Sequence, residues 1–485
     1  MVGKCTWDSS PIPPSLDVLK VCPGDGVCLT SEGPYLVNSS KIQQMPTDAL
    51  MILDTCKAPG VSYNGENGTW HIMHIGPFES RGGIETFTAE GWPLAAAWEV
   101  GWAITEWAVS VRSTPEGERL KMPDFHVHHL SQYTHPPKDG GKIWEGNQWW
   151  REAGAGDASS GLYINAADLE CNFMSSSKAG GCGQDFFYNA LPEGYAYFVL
   201  PEHQTSEGVL TAFIQDQRPV GSPPRQWHIE IAALRVDPGH RRAAYKMTFG
   251  QDRSETYSQF QTQKIPTGRE SLNWFQAVWP SDGEILFEKV HTHIFAADMW
   301  VVAGRLEDCG LGNATETVNS PASHMYAPDA IPLPMRVPSG EVLSTLEDAR
   351  SYISQNIARS GKQVVCKYTF KNVTDAVGRT AMVINVADKM RCDSLRYPFK
   401  KGEPLTFVAS SYAPPVDLYP EGIQAHFIWS SFVHLTEFDD FAKKELQRHR
   451  KESAEGNESN HGPGLQPPQL QAHVGASSSA PRSLS

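Results

Sequence analysis

Two groups of histidines carry the chemistry that this sequence could perform. Val290-His291-Thr292-His293 follows the apolar run Ile285-Leu286-Phe287 and precedes Trp300-Val301-Val302, which predicts a strand from about Glu284 to Phe295. Successive strand side chains alternate faces, so His291 and His293 share one, roughly 6 to 7 Å apart. Two neutral imidazoles aimed at one point make a pair of transition-metal ligands and leave positions for a third element to fill. The second group is Phe125-His126-Val127-His128-His129-Leu130, with His135 close behind. Alternation pairs His126 with His128, whereas a bulged strand end brings His128 and His129 together. The plain alternative in both places is a solvated, histidine-rich strand.

A zinc hydrolase would need a nearby acid beside His291 and His293, with Glu288 and Asp298 as candidates. No HExxH helix motif is present, and alternation puts Glu288 on the face opposite the two histidines. Trp149 and Trp150, or the Trp-rich stretch 92–107, could form a carbohydrate platform, but core packing explains large aromatics better.

The totals bound what must position these residues. At 485 residues the chain exceeds one ordinary hydrophobic core, so two domains with additional segments are expected. A formal net charge of -14 argues against a nucleic-acid or anionic-membrane surface, which leaves a small molecule or peptide as the partner. No run reaches the length of a membrane-spanning helix. Nine cysteines without a CxxC pattern, together with five Asn-x-Ser/Thr sequons (Asn38, Asn67, Asn313, Asn372, Asn457), predict disulfides and a secreted or secretory-lumen protein. The opening residues Met1 to Asp8 show no apolar signal-peptide core. The odd cysteine count implies a free thiol or an intermolecular disulfide.

Along the chain, short apolar runs alternate with Gly, Asn and Pro turns, the pattern of an all-β protein. We expect a Cys/Pro/Gly-rich segment over 1–45, with Cys22 and Cys28 closing a loop. A first antiparallel β-sandwich, jelly-roll-like, follows over 46–238 and carries the His126/His128/His129 site, with Cys171 paired to Cys182. Asp237-Pro238-Gly239-His240 is the boundary turn. A second sandwich spans 239–442 with the His291/His293 site, one helix is expected over Val342–Ala358, and the charged, then Ser/Pro-rich residues 443–485 form a disordered tail.

An adjacent His pair in a β-rich first half, followed by His-Thr-His in a β-rich second half, resembles the copper type II, ascorbate-dependent monooxygenases, which include peptidylglycine α-hydroxylating and dopamine β-monooxygenase. His128-His129-Leu130 matches the family's His-His-Met segment, with Leu in place of Met, and Val290-His291-Thr292-His293 matches the second copper motif closely. Gln226-Trp227-His228-Ile229-Glu230-Ile231 looks like the strand that closes the first domain, and Ile265-Pro266-Thr267-Gly268 like the loop before the second copper strand. Gly402-Glu403-Pro404-Leu405-Thr406-Phe407 and Gly422-Ile423-Gln424 resemble the C-terminal pattern of the family and of its plant nodulin-like relatives. Cys366 and Cys392 fall where those relatives have a cysteine pair.

The resemblance implies two mononuclear copper sites, ascorbate as electron donor, and hydroxylation of a substrate C–H bond with dioxygen. It implies His128 and His129 as ligands of the first copper, with a third ligand at His203 or, strand by strand, at Gln215. It implies His291 and His293 at the second copper, where a Met thioether is usual and this chain offers Gln424 or Met390. A Gln oxygen can replace an axial Met but hardens the ligand set against cuprous copper. The rival expectation is a non-catalytic extracellular scaffold or recognition protein of the same fold that has lost one or both coppers.

Overall fold

The computed structural model describes residues 43–44, 51–61, 65–92, 100–114, 117–118, 120, 125–134, 164–165, 186–201, 208–216, 218–219, 221–249, 263–292, 296–312, 330–374, 380–384, 392, 396–413, 423–425 and 427–458. His203, His293, Met390 and the Cys22, Cys28, Cys171 and Cys182 expectations lie outside this set.

The chain is all-β. Its first half contains β1 (Gln43–Gln44), β2 (Met51–Val61), β3 (Asn67–Ser80), β4 (Gly83–Trp92), β5 (Ala103–Arg112), β6 (Phe125–Thr134), β7 (Ile164–Asn165), β8 (Phe186–Ala190), β9 (Tyr195–Phe198), β10 (Gly208–Asp216) and β11 (Arg225–Val236). The second half contains β12 (Arg242–Phe249), β13 (Gln263–Ile265), β14 (Arg269–Val278), β15 (Gly283–Thr292), β16 (Ala296–Ala303), β17 (Ile331–Pro332), β18 (Met335–Arg336), β19 (Val342–Leu343), β20 (Gln363–Thr374), β21 (Thr380–Ile384), β22 (Tyr397–Phe399), β23 (Pro404–Ala413), β24 (Ile423–Ala425) and β25 (Phe427–Leu435). Two α-helices are described, α1 (Leu346–Arg359) and α2 (Thr436–Glu458).

A ten-stranded sheet runs through both halves in the order β2-β3-β11-β5-β9-β12-β25-β15-β22, with β8 on β5. Its join is a parallel pairing of β9 with β12, Tyr195 opposite Arg242 and Ala196 opposite Ala243. Between β11 and β12 the chain turns at Asp237 to His240, where Gly239 takes a left-handed φ of 49° and donates its N–H to the Asp237 carboxylate. A five-stranded sheet, β1-β4-β10-β6-β7, belongs to the first half, and a six-stranded sheet, β17-β14-β23-β16-β20-β21, to the second.

One apolar core joins the ten-stranded sheet to the six-stranded sheet. It packs Tyr245, Ile285, Val433 and Leu435 from the first against Phe275, Met299, Val301, Tyr368, Phe407 and Ala409 from the second. The other face of the six-stranded sheet, with Trp300, Val302 and Val408, is covered by Leu346, Ala349, Tyr352, Ile353 and Ile357 of α1. Sequence spacing places this helix correctly but starts it too early. Thr345 caps it, its hydroxyl accepting the Asp348 N–H while the Asp348 carboxylate accepts the Thr345 N–H, so the first turn begins at Leu346.

The expectation of a disordered tail from 443 is corrected as far as Glu458. Phe438, Phe441, Ala442 and Leu446 recur at helical spacing, and Phe438, Ala442 and Leu446 are buried in the main core. The run of charges that suggested solvation is the exposed face of α2, with Arg448 paired to Glu445 and Glu452. Of the expected strand Glu284–Phe295, β15 covers the part up to Thr292, residues 293–295 lie outside the described set, and β16 of the six-stranded sheet begins at Ala296.

Candidate functional site

The first histidine cluster lies on β6, an interior strand of the five-stranded sheet, flanked by β10 and β7. Across the β6–β10 ladder Gln215 is opposite His126, Ile214 opposite Val127, and Phe213 opposite His129. His128 is therefore the extra residue of a bulge. A one-residue bulge resets the two-residue alternation, so simple strand phase fails here and register positions 126 and 129 come into step around 128. Gln215, the strand-by-strand alternative to His203, sits at the partner position of His126.

The second cluster closes β15. His291 is opposite Ile428 and Thr292 opposite Phe427 on β25. Gln424 lies just upstream on β24, where it pairs with Lys264 of β13 rather than with β15. The residue between β24 and β25 is His426, which sequence analysis passed over because the family pattern drew Gln424 into the ligand position. His426 itself lies outside the described residues. The structure describes His126, His128, His129, Gln215, His291 and Gln424 as strand and register positions; it places the β6 cluster, His291 and Gln424 in three different sheets. Among the described residues no three His, Cys, Asp or Glu side chains cluster as a metal site.

Both candidate acids of the hydrolase reading are committed elsewhere. Asp298 is buried on the α1 side of the six-stranded sheet, accepting from Arg350 Nε at 2.6 Å and Ser410 Oγ at 2.9 Å. Glu288 is buried on β15, opposite Ser431 of β25, whose hydroxyl donates to it at 2.5 Å. Burial pushes the Glu288 carboxyl up to about 8, partly opposed by the Ser431 hydrogen bond, so it is a neutral acid at pH 7. An acid directly after Ile285-Leu286-Phe287 was the sequence signal for such a group.

Two further polar clusters are built into the ten-stranded sheet. In the first half Glu230 of β11 accepts from Arg112 Nε at 2.5 Å and contacts His74 Nε2 at 2.9 Å, all three buried. At the join, Glu284 accepts the Tyr195 hydroxyl and pairs with Arg396 at 2.9 Å and Arg242 at 3.2 Å. Beside it a cleft of about 540 Å³ is lined by Arg242, Glu284, Lys400, Glu403 and His434. His434 Nδ1 donates to the Ala243 carbonyl at 3.1 Å, which fixes the tautomer. These groups are paired with one another, so we read both clusters as structural.

No family model matches the chain, and no curated protein matches it. The functional reading therefore rests on the chain's own residues. Cys366 and Cys392 form a disulfide that ties β20 to the segment before β22. Cys309 is a free, buried thiol whose pKa burial pushes up to about 12, with Asp308 and Glu307 adding to the shift. Being buried, Cys309 is not placed to form an intermolecular bridge. No described helix is long and apolar enough to cross a membrane.

Proposed function

We propose that the chain is a copper-dependent monooxygenase that hydroxylates a C–H bond of a small molecule or peptide with dioxygen and ascorbate. His128 and His129, with Gln215 or His203, would hold one metal; His291 and His293, with Gln424, Met390 or His426, would hold the other. The observation that carries this reading is the bulge at His128, because it gives an imidazole-rich strand the break in alternation that adjacent histidines need to converge. The donor set, neutral imidazoles with amide or thioether supplements, suits copper. Bound copper would supply the one-electron and dioxygen chemistry that side chains lack.

The protein's own part is to hold the imidazoles on hydrogen-bonded strands rather than on loops. β6 is paired to β10 along its length and to β7 at Ser131 and Gln132, and β15 is paired to β25 along its length. A secretory or extracellular setting follows from the same reading, supported by the Cys366–Cys392 disulfide and by an exposed sequon Asn67 at the start of β3.

The alternative, a copper-free scaffold of this fold, is favoured by one observation: Gln215, not a histidine, stands opposite His126. Copper content of the purified chain and ascorbate-dependent oxygen uptake separate the two. The proposal expects bound copper and uptake that His291→Ala abolishes, with His426→Ala and Gln424→Ala ranking the supplementary ligand. Protein that takes up no copper from excess and consumes no oxygen would leave the scaffold.

A further inference from the structure

β15 has an asymmetric environment. β25 pairs with it from Gly283 to Thr292, but on its other edge, among the described residues, β22 pairs with Gly283, Glu284 and Ile285 alone. Beyond that point the backbone needs other partners. At Glu288 it has them: its N–H donates to the Cys392 carbonyl at 2.7 Å, and its carbonyl accepts the Tyr368 hydroxyl at 2.9 Å. One grip comes from β20 and the other from a residue disulfide-bonded to it. Tyr368 lies on that strand, and Cys392 is bonded through its sulfur to Cys366, two residues before Tyr368. The Glu288 side chain is held in turn by Ser431 across the ladder.

Three elements thus converge on the residue three positions before His291. Cys366, Tyr368, Cys392, Glu288 and Ser431 are all buried, at 1% exposure or less, so the arrangement is shielded from competing water. The carboxyl at 288 is a charged residue type in a fully buried position. An apolar residue would fill the space without the cost of a buried carboxyl.

We propose that the Cys366–Cys392 disulfide is a buried clasp that positions the His291 strand for metal, acting through the Glu288 peptide group. This rests on the reading of His291 as a ligand. Without that bond Cys366 and Cys392 would have no covalent tie. Cys392 would then no longer be tethered to β20, and the open edge of β15 would lose a fixed acceptor just before its histidines. Supports that orient metal ligands typically contribute about 10- to 100-fold in affinity.

The test uses the full chain and zinc ion alone, a redox-inert probe that takes imidazole ligands. The Cys366→Ala/Cys392→Ala variant should bind zinc about 10- to 100-fold more weakly than the oxidised parent. It should also exchange the Glu288 to Thr292 amides faster. Tyr368→Phe removes one hydroxyl and provides an intermediate case should the double variant not fold. Glu288→Gln keeps the peptide group and a hydrogen bond to Ser431, and should keep the zinc affinity, which separates the clasp from a general effect of altering the core. Unchanged exchange and affinity in both the double variant and Tyr368→Phe overturn the clasp alone. A parent chain with no zinc or copper affinity sensitive to His291→Ala overturns the metal reading and the inference with it.

Discussion

Glu284 of β15 accepts the hydroxyl of Tyr195 from β9, so a residue of the first half closes a hydrogen bond onto the strand that carries His291. Arg396 and Arg242 complete the contact, and Arg396 adopts a left-handed φ of 49° to reach both partners. The parallel β9–β12 pairing alone is two residues long. This polar cluster therefore helps to fix how the halves of the ten-stranded sheet meet.

The cluster makes the join acid-sensitive. Burial alone would raise the Glu284 carboxyl, but the Tyr195 hydroxyl and the Arg396 guanidinium outweigh it and hold the carboxyl below its ordinary 4.5. A depressed carboxylate contributes stability that is present above the unfolded value and lost as pH falls through the folded one. His434 adds to this: burial holds its imidazole below the ordinary 6.5, against the Ala243 carbonyl, so its loss begins as pH falls below about 6.5. Glu284→Gln should reduce stability by about 1–2 kcal/mol at neutral pH and flatten the decline below pH 4.5, read from urea midpoints across the acid range. A parallel decline in parent and variant below pH 4.5 would refute this assignment.

Glu288 predicts the opposite sign. Its carboxyl is raised from 4.5 to about 8, so between those values the folded chain holds a proton that the unfolded chain releases. Stability should fall as pH rises across that window and level off above it. Glu288→Gln imitates the protonated acid and removes the dependence. It should be more stable than the parent by about 2–3 kcal/mol at pH 7 and equal to it near pH 4. Denaturant midpoints at the two pH values give the comparison.

The fold class, most strand positions and α1 were legible because period-2 and period-3.6 apolar spacing survives in those stretches. Alternation also placed Glu288 away from the histidines, and the structure gives the reason, since its side chain belongs to the core. Three features were not legible. The bulge at His128 depends on β10, a partner some 80 residues away, and no local pattern encodes a register slip. The shared sheet depends on the β9–β12 contact, which is tertiary. The α2 extension was hidden by composition, since a charged face outweighs an apolar stripe when residues are counted rather than spaced. The buried ions were visible as charges inside the apolar run 227–236 and were passed over.

One of those ions tests the first half. Glu230 is held by Arg112, and Arg112 also donates to the Gly117 carbonyl at 2.8 Å. Removing one member of a buried pair strands the other, so Arg112→Met should cost about 3–5 kcal/mol. The Arg112→Met/Glu230→Gln double variant should lose clearly less than the sum of the two single variants. Additive losses in equilibrium unfolding would show that the contact carries no coupling.

Helix α2 offers a test where composition and packing disagree. Leu446 lies beyond the expected start of the tail, yet it is 4% exposed and packs in the core with Phe438 and Ala442. Its neighbour Gln447 is exposed. If 443–458 were solvated chain, alanine at either position would be silent. With the helix docked, Leu446→Ala should cost about 2–4 kcal/mol and Gln447→Ala within about 0.5 kcal/mol of zero. The main chain gives a second handle, because the Asp439 carboxylate of α2 accepts the Ala243 N–H of β12 at 2.7 Å. Asp439→Ala strands that donor at the join of the sheet and should cost about 1–3 kcal/mol. Thermal unfolding of the three variants measures whether this helix is part of the fold that carries the histidine strands, and a silent Leu446→Ala would return the segment to solvent.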